Sequence, residues 1–352
     1  LAEGALEYIF KKRGLSKDIV QTFQIGYAPN SGDALVQFLT KKGFSKKELA
    51  SAGLTNRFGG DLFRGRMTVP LMDSSGQVIG FTGRILTDEP NAPKYLNTPQ
   101  TLLYDKSRHV FGLSQAKEAI RKSDYAVIVE GNLDVVSSHQ AGITQVVATA
   151  GTALTEAHLK ALVRLTPNVR LAFDADAAGL AATERAIPIA QSVGVDLTII
   201  SLPEDVKDPD ELIQKDPTLW QKAIDDAEGV VDWLLTQYTK REDMSAPIGK
   251  RRFTTAALAV VRALKDPVEQ EHYLNTIAAY TSTSLEAVKE KLYGEVPETS
   301  AKQLKPVAAH EEVTPDPAVH QDTLLAVAAI DVPARELLAD VSEAMLATDP
   351  RK

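Results

Sequence analysis

From residue 125 the chain alternates short apolar runs with stretches of helical spacing, and that alternation restricts the fold more than any other feature. "YAVIVE", "QVVATA", "VRLAFDAD" and "DLTIISLP" are rich in branched residues and have the length of buried strands. Between them lie "LDVVSSHQAG", "LTEAHLKALVRL" and "AGLAATERAIPIAQSVG", whose apolar residues recur at helical spacing. Strand, helix and strand in succession demand parallel strands with crossover helices, so residues 121–216 are expected to form a compact α/β domain. Ligands of such a sheet gather at the carboxyl ends of its strands. The acids fall on that rim: Glu130 closes "AVIVE", Asp174 and Asp176 close "VRLAFDAD", and Asp208 and Asp210 follow "LTIISLP" within "KDPDEL".

Residues two apart in an extended segment point the same way, so Asp174 and Asp176 face one point together. Five carboxylates on one rim need a countercharge. With no cysteine in the chain and no histidine nearby, hard oxygen ligands imply Mg²⁺ or Mn²⁺. Such an ion completes its shell with substrate phosphates and supports phosphoryl or nucleotidyl transfer. A lone Asp-x-Asp arises by chance about once in a chain of this size, so the order of the acids along the strands carries the reading. "DPDEL" reads equally as a helix start, with Asp208 or Asp210 as the cap, and Asp134 reads as a second-shell partner of the metal or a first-turn acid.

The 352 residues suffice for two or three domains. Residues 1–120 begin with short helices, among them "ALEYIFKKRG" and "GDALVQFLTKKG", and continue into "FRGRMTVPLMDSSGQVIGFTGRIL", a β-hairpin across "DSSG". Pro70 predicts an edge strand or a bulge there. Residues 217–294 are helical in pattern, 295–321 form a proline-bearing linker, and 322–352 begin a further helical piece. A net charge of −8 argues by itself against a nucleic-acid partner, but the charge is lopsided. Residues 1–125 hold 18 Lys and Arg against 12 Asp and Glu, a balance of +6, which leaves −14 for the remainder. A basic front beside an acidic back suits a phosphate-binding face next to a carboxylate metal site. The lack of cysteine excludes a disulfide framework, a thiolate zinc site and a cysteine nucleophile. No run reaches the roughly 18 apolar residues of a membrane-spanning helix. The first residue, Leu1, is expected to mark an excised piece.

At the acidic residues, "IVEGNLDVV", "ATAGTAL" and "FDADAAGLAATERA" resemble the Toprim domain, and specifically that of bacterial, DnaG-type DNA primases. "FRGRMTVPLMDSSGQVIGFTGRIL", "PKYLNTPQTLLYDKSRHVFGL" and "LPEDVKDPDELI" resemble the same family's polymerase core in order and spacing, so the likeness covers about residues 1 to 295. The resemblance implies a Toprim-type parallel sheet flanked by helices, a mixed α+β front part and a helical rear part. It also implies an RNA polymerase core that makes short RNA primers on single-stranded DNA from ribonucleoside triphosphates, in the bacterial cytoplasm at the replication fork.

Carried onto this chain, Glu130, Asp174 and Asp176 would be catalytic and, with Asp208 and Asp210, would hold the metals. Arg64, Arg66, Arg84, Lys94, Tyr95, Asn97 and Lys106 would form the basic surface for template and nucleotide. Strand-borne arginines suit bidentate phosphate contact, and a neighbouring tyrosine can stack on an unpaired base. The family's N-terminal zinc-binding module requires cysteines, so no zinc is expected in this chain. "DTLLAVAAIDVPARELL" resembles the start of the family's helicase-binding domain, which implies the replicative helicase as a partner of the intact protein. Asn132 stands where the family usually has an aromatic residue, Ala175 where glycine is usual and Leu62 where a basic residue is common, and none of these removes a carboxylate. Two rival readings share the residues: a Toprim nuclease whose metals activate water, and a non-catalytic adaptor that binds single-stranded DNA and helicase.

Overall fold

A computed structural model describes residues 3–86, 92–173, 177–203 and 205–294. Leu1–Leu292 form one compact unit and Tyr293–Lys352 a second. The linker and terminal piece expected at 295–321 and 322–352 lie outside the described residues. The chain opens with α1 (Glu3–Leu6), which widens into a π-helical turn over Glu7–Lys12 and closes with the Arg13 amide donating to the Tyr8 carbonyl at 2.9 Å. Helix α2 (Lys17–Thr22) starts at Ser16, whose hydroxyl accepts from the Ile19 amide. After strand β1 (Gly26–Ala28) come α3 (Ala34–Lys41) and α4 (Lys46–Ser51), the latter opened by a reciprocal Ser45–Glu48 capping box.

The expected hairpin is present as β2 (Arg66–Met72) and β3 (Val78–Ile85), and with β4 (Tyr95–Asn97) these strands form an antiparallel sheet in the order β1-β2-β3-β4. Pro70 does not mark an edge strand, since β2 lies between β1 and β3, and the irregularity falls just past it. β1 pairs only with Arg66, Met67 and Thr68, so the strand has a free edge at Pro70, and the register shifts between Leu71 and Met72.

Helix α5 (Leu113–Ser123) leads into the second sheet, built from β5 (Ala126–Val129), β6 (Val146–Ala148), β7 (Asn168–Leu171) and β8 (Asp196–Ile199). These four are parallel, in the order β6-β5-β7-β8. The crossovers run through α6 (Asn132–Gln140), α7 (Glu156–Leu162) and α8 (Ala177–Val193), and α9 (Pro209–Lys215) and α10 (Pro217–Asp225) follow. One expectation is corrected: the segment after residue 217 is not all helix. Glu228 and Gly229 form β9, which adds an antiparallel edge to β8 before α11 (Val230–Arg241) begins. A two-residue strand carries too few side chains to show a period of two. The rear is completed by α12 (Pro247–Ala263), α13 (Pro267–Thr281) and α14 (Leu285–Tyr293).

The side chains of β5 divide between two cores. Ala126 and Ile128 pack with α5, α7, α8 and the rear helices, while Val127 and Val129 pack with α6, Leu212, Trp220 and the front residues Met67, Val69 and Leu71. All four are buried, which explains an unbroken apolar run in place of alternation. Each large aliphatic chain buried this way contributes about 1.5–3 kcal/mol. The front sheet is therefore seated against one face of the parallel sheet, close to its acidic rim. Among the described residues no helix is long and apolar enough to cross a membrane.

Candidate active site

The parallel strands present their carboxyl ends at one rim, where a cleft of about 590 Å³ opens between the two sheets. One wall comes from the parallel sheet: Glu130 just past β5, Gly131, Asn132 and Asp134 at the start of α6, Ala150 and Gly151 after β6, and Lys207, Asp208 and Asp210 before and within α9. Front residues form the other: Arg13, Thr82, Lys94, Tyr95 and Asn97. Asp174 and Asp176 lie outside the described residues. Among the described residues no three His, Cys, Asp or Glu side chains converge closely enough to hold a metal ion.

Each acid is held differently. Glu130 is exposed on the rim. Asp208 caps α9, its Oδ1 accepting from the Glu211 amide at 2.8 Å with Pro209 in the first turn, so the helix-start reading of "DPDEL" describes what that oxygen does. Asp210 is buried, with 7% of its surface exposed. Its Oδ2 accepts from Arg13 Nη1 at 2.5 Å and from Gln214 Nε2 at 3.0 Å, and its Oδ1 accepts from the Ser137 hydroxyl. Asp134, also buried, accepts from the Gly131 amide at 3.0 Å. Burial first, and then the nearby Asp208 and Asp210, push its carboxyl up to about 7.

The basic residues separate into those at the cleft and those behind it. Lys94, just before β4, and Tyr95 on it are exposed at its mouth, and Asn97 reaches across to donate from Nδ2 to the Ala150 carbonyl at 3.3 Å, which ties β4 to the loop after β6. Arg84 does not line the cleft. Its guanidinium lies 4.4 Å from the Tyr8 ring centroid and 5.9 Å from that of Tyr95. Arg66 is buried, 6% exposed, and its Nη1 donates to the carbonyls of Pro93 at 2.9 Å and of Gly83 and Lys94 at 3.4 Å. Its part in the expected basic surface is thus to hold the backbone that presents Lys94. Arg64 is exposed beside a neighbouring cleft shared with Asn56 and Pro93, and Lys106 is exposed away from both.

The lining suits a hard divalent cation. It offers carboxylates and amide oxygens and contains no imidazole or thiolate. Three buried oxygens at the same cleft, Thr82 Oγ1, Asn97 Oδ1 and Asn132 Oδ1, have no protein partner. In a buried site such atoms await a ligand or water. Arg13, Thr82 and Lys207 were not foreseen from the sequence. "KKRG" carries only the signal of a basic helix end, and nothing local marks Arg13 as the partner of an acid 197 residues away.

Three sequence families match the chain in succession: "DNA primase catalytic core, N-terminal domain" over residues 2–117, "Toprim-like" over 127–213, and "DnaB-helicase binding domain of primase" over 231–286. The last match falls on α11, α12 and α13, upstream of the 322–352 segment in which the sequence suggested helicase binding. The chain is 36% identical over 284 residues to a DNA primase of Clostridium acetobutylicum, covering 79% of this chain and 47% of that protein. It is 38% identical over 263 residues to a DNA primase of Streptomyces coelicolor, covering 72% and 41%. It thus spans about half the length of the curated relatives it matches. Among solved structures, a DnaG primase catalytic domain bound to single-stranded DNA superposes with a TM-score of 0.70 at 31% identity, over 81% of this chain and 91% of that one. A DNA primase domain from Pseudomonas aeruginosa gives 0.71 at 31% identity, over 82% and 92%.

Proposed function

The chain belongs to the DnaG-type DNA primase family and corresponds to its catalytic core, and from that premise we propose that it synthesises short RNA primers on single-stranded DNA from ribonucleoside triphosphates. The observation that carries the reading is the cleft with two unlike walls: carboxylates at the ends of parallel strands face Lys94, Tyr95 and Asn97 across one opening. An acidic wall alone would hold a metal, and a basic wall alone would hold a strand. Template-directed transfer of a nucleotide needs both.

Glu130, Asp174, Asp176, Asp208 and Asp210 are the ligands we assign to Mg²⁺ or Mn²⁺. Bound there, the metal supplies the charge that activates the attacking 3′-hydroxyl and stabilises the leaving pyrophosphate. The protein's own contribution is positional. Capping of α9 fixes Asp208, while Arg13, Ser137 and Gln214 fix Asp210, so neither carboxylate has to be ordered when substrate arrives. Lys94 holds a phosphate at the mouth, Tyr95 stacks on a template base, and the unpartnered oxygens of Asn97 and Asn132 accept from nucleotide hydroxyl or amino groups. Arg64, Arg84 and Lys106 extend the positive field that draws in the strand. The match of α11, α12 and α13 to the helicase-binding family supports their serving as the docking face for the replicative helicase, and action at the replication fork in the cytoplasm is part of the same reading.

The test is incorporation of labelled ribonucleotides on single-stranded DNA, with and without an annealed RNA primer, in Mg²⁺ and in Mn²⁺, beside Asp174→Ala. Template-dependent RNA that disappears in the variant is the expected result. A folded chain that makes no RNA in any lane defeats the proposal, and cleavage of the template without nucleotides would transfer the site to a nuclease.

A further inference from the structure

The catalytic cleft holds polar groups that neither a metal nor a phosphate accounts for. Thr82 lies within β3 with 4% of its surface exposed, lines the cleft, and has no hydrogen-bond partner for its buried Oγ1. Asn97 stands opposite it on β4, the two residues being partners in the antiparallel register. Side chains so placed start within about 5.5 Å of one another on the same face. Donation from Asn97 Nδ2 to the Ala150 carbonyl fixes that carboxamide and leaves its Oδ1, also buried, without a partner. From the other wall Asn132, the first residue of α6 and two positions past Glu130, adds a third buried oxygen in the same condition.

These oxygens restrict what lies among them. A carboxamide oxygen only accepts, so the ligand has to bring donors, and an ionised phosphate brings acceptors alone. A metal ion is drawn to the carboxylate wall, whereas Thr82 and Asn97 belong to the wall that already carries Arg13 and Lys94. Amino groups on the bases are donors, but they differ among the four nucleotides, and a template-directed enzyme has to accept each in turn. The 2′- and 3′-hydroxyls of ribose are donors that all four share, and a deoxynucleotide keeps only one of them. Because Asn132 stands where the family usually has an aromatic residue, an acceptor at this point is a feature of this chain.

We propose that Thr82 and Asn132, with Asn97 beside them, form the sugar subsite of the cleft, hold the vicinal hydroxyls of the incoming ribonucleotide, and thereby set this chain's preference for ribonucleotides over deoxyribonucleotides. Ribose donates to two of the three oxygens. Removal of its 2′-hydroxyl leaves one more buried acceptor desolvated and unpaired, which is how a polar site rejects an analogue that lacks a hydroxyl. These bonds form as the nucleotide binds, so they act on KM more than on kcat. The inference rests on the primer-synthesis reading above and deepens it.

The test is steady-state incorporation of each of the four ribonucleotides and of its deoxy counterpart on primed single-stranded DNA, with kcat and KM resolved. Thr82→Val, which keeps the shape and removes the hydroxyl, should lower the ribose preference in kcat/KM about tenfold, mainly by raising KM for ribonucleotides and by one factor for all four bases. Asn132→Leu should act likewise, whereas Thr82→Ser, which restores the hydroxyl, should retain the preference. The melting temperature of nucleotide-free Thr82→Val should be unchanged or higher, because the hydroxyl it replaces has no hydrogen bond to lose. An unchanged preference in both Thr82→Val and Asn132→Leu overturns the proposal, as does a wild-type chain without a preference. Equal losses for both sugars also overturn it, and a loss that follows the base would assign the oxygens to base amino groups instead. A wild-type chain that makes no RNA defeats the proposed function and this inference with it, whereas an active chain whose variants keep their preference defeats this inference alone.

Discussion

The parallel sheet brings its cleft residues to strand ends, with β5 and β6 buried on both faces, whereas the antiparallel sheet brings Tyr95 and Asn97 on β4, three residues long and paired on one side only. The difference follows the chemistry each wall performs. Acids that share a metal have to be placed to a fraction of an ångström, which an extended buried framework provides. Cations and a stacking ring proposed to receive a changing strand tolerate a softer mount, and here the mount is pairing to β3, the Asn97–Ala150 bond and one buried arginine, Arg66, which bonds the carbonyls on either side of Lys94. Precision comes from the core on one side of the cleft and from an edge strand with a few side-chain bonds on the other.

Four measurements would break or sharpen that contrast, taken from the largest expected effect down. Glu130→Gln should lower RNA synthesis at least about a thousandfold, about 4 kcal/mol, with little change in melting temperature because the residue is exposed. A small loss in steady-state assays would remove the strand ends as the seat of the chemistry. Ile128→Ala, in the middle of β5, should cost about 2–5 kcal/mol in denaturant unfolding, against less than about 1.5 kcal/mol for half-buried Leu96→Ala in β4. Equal costs would mean that the two sheets are equally firm.

The third concerns pH. The segment joining the sheets carries His109, which is buried and whose imidazole is pushed down to about 4, first by burial and then by His158. Between its ordinary value of about 6.5 and that lower one, the unfolded chain binds a proton that the native chain does not. Stability should therefore fall by roughly 3 kcal/mol as pH drops from 6.5 to 4, and His109→Phe should remove that slope from urea midpoints taken across the range. A slope unchanged in the variant would acquit the junction. The smallest effect is expected for Tyr95→Ala, a loss of about 1–2 kcal/mol in strand affinity by fluorescence anisotropy with kcat barely altered.

The same contrast explains what the sequence disclosed. "AVIV" and "VVA" are branched, apolar and buried on both faces, so composition alone identifies them as parallel strands, and the acids that follow inherit a place from the topology. β4 is "YLN", with no period to read, and β9 is "EG". Their positions depend on partners distant in sequence: Arg66 for one, β8 for the other. Lys94, Tyr95 and Asn97 were reached by resemblance and not by pattern. The carbonyl contacts of Arg66 were not legible for a related reason, since an arginine on a strand looks the same in sequence whether it turns out to a phosphate or in to backbone carbonyls. Arg13 escaped notice because its meaning lies in a contact that spans the two halves of the fold.

Arg13 reaches Asp210 from the π-helical turn that closes the first helix, and Gln140 reinforces the attachment by accepting from the Ser16 amide and donating to the Gly14 carbonyl. On the proposed assignment of Asp210 to a metal, a guanidinium and a divalent cation that draw on the same carboxylate would be competitors. Thermodynamic reciprocity then requires that the factor by which the docked N-terminal segment weakens the ion be the factor by which the ion loosens the segment. On that assignment, whatever pulls on the beginning of this chain would adjust the ion's occupancy without touching the substrate, and the segment would serve as a throttle as well as a brace.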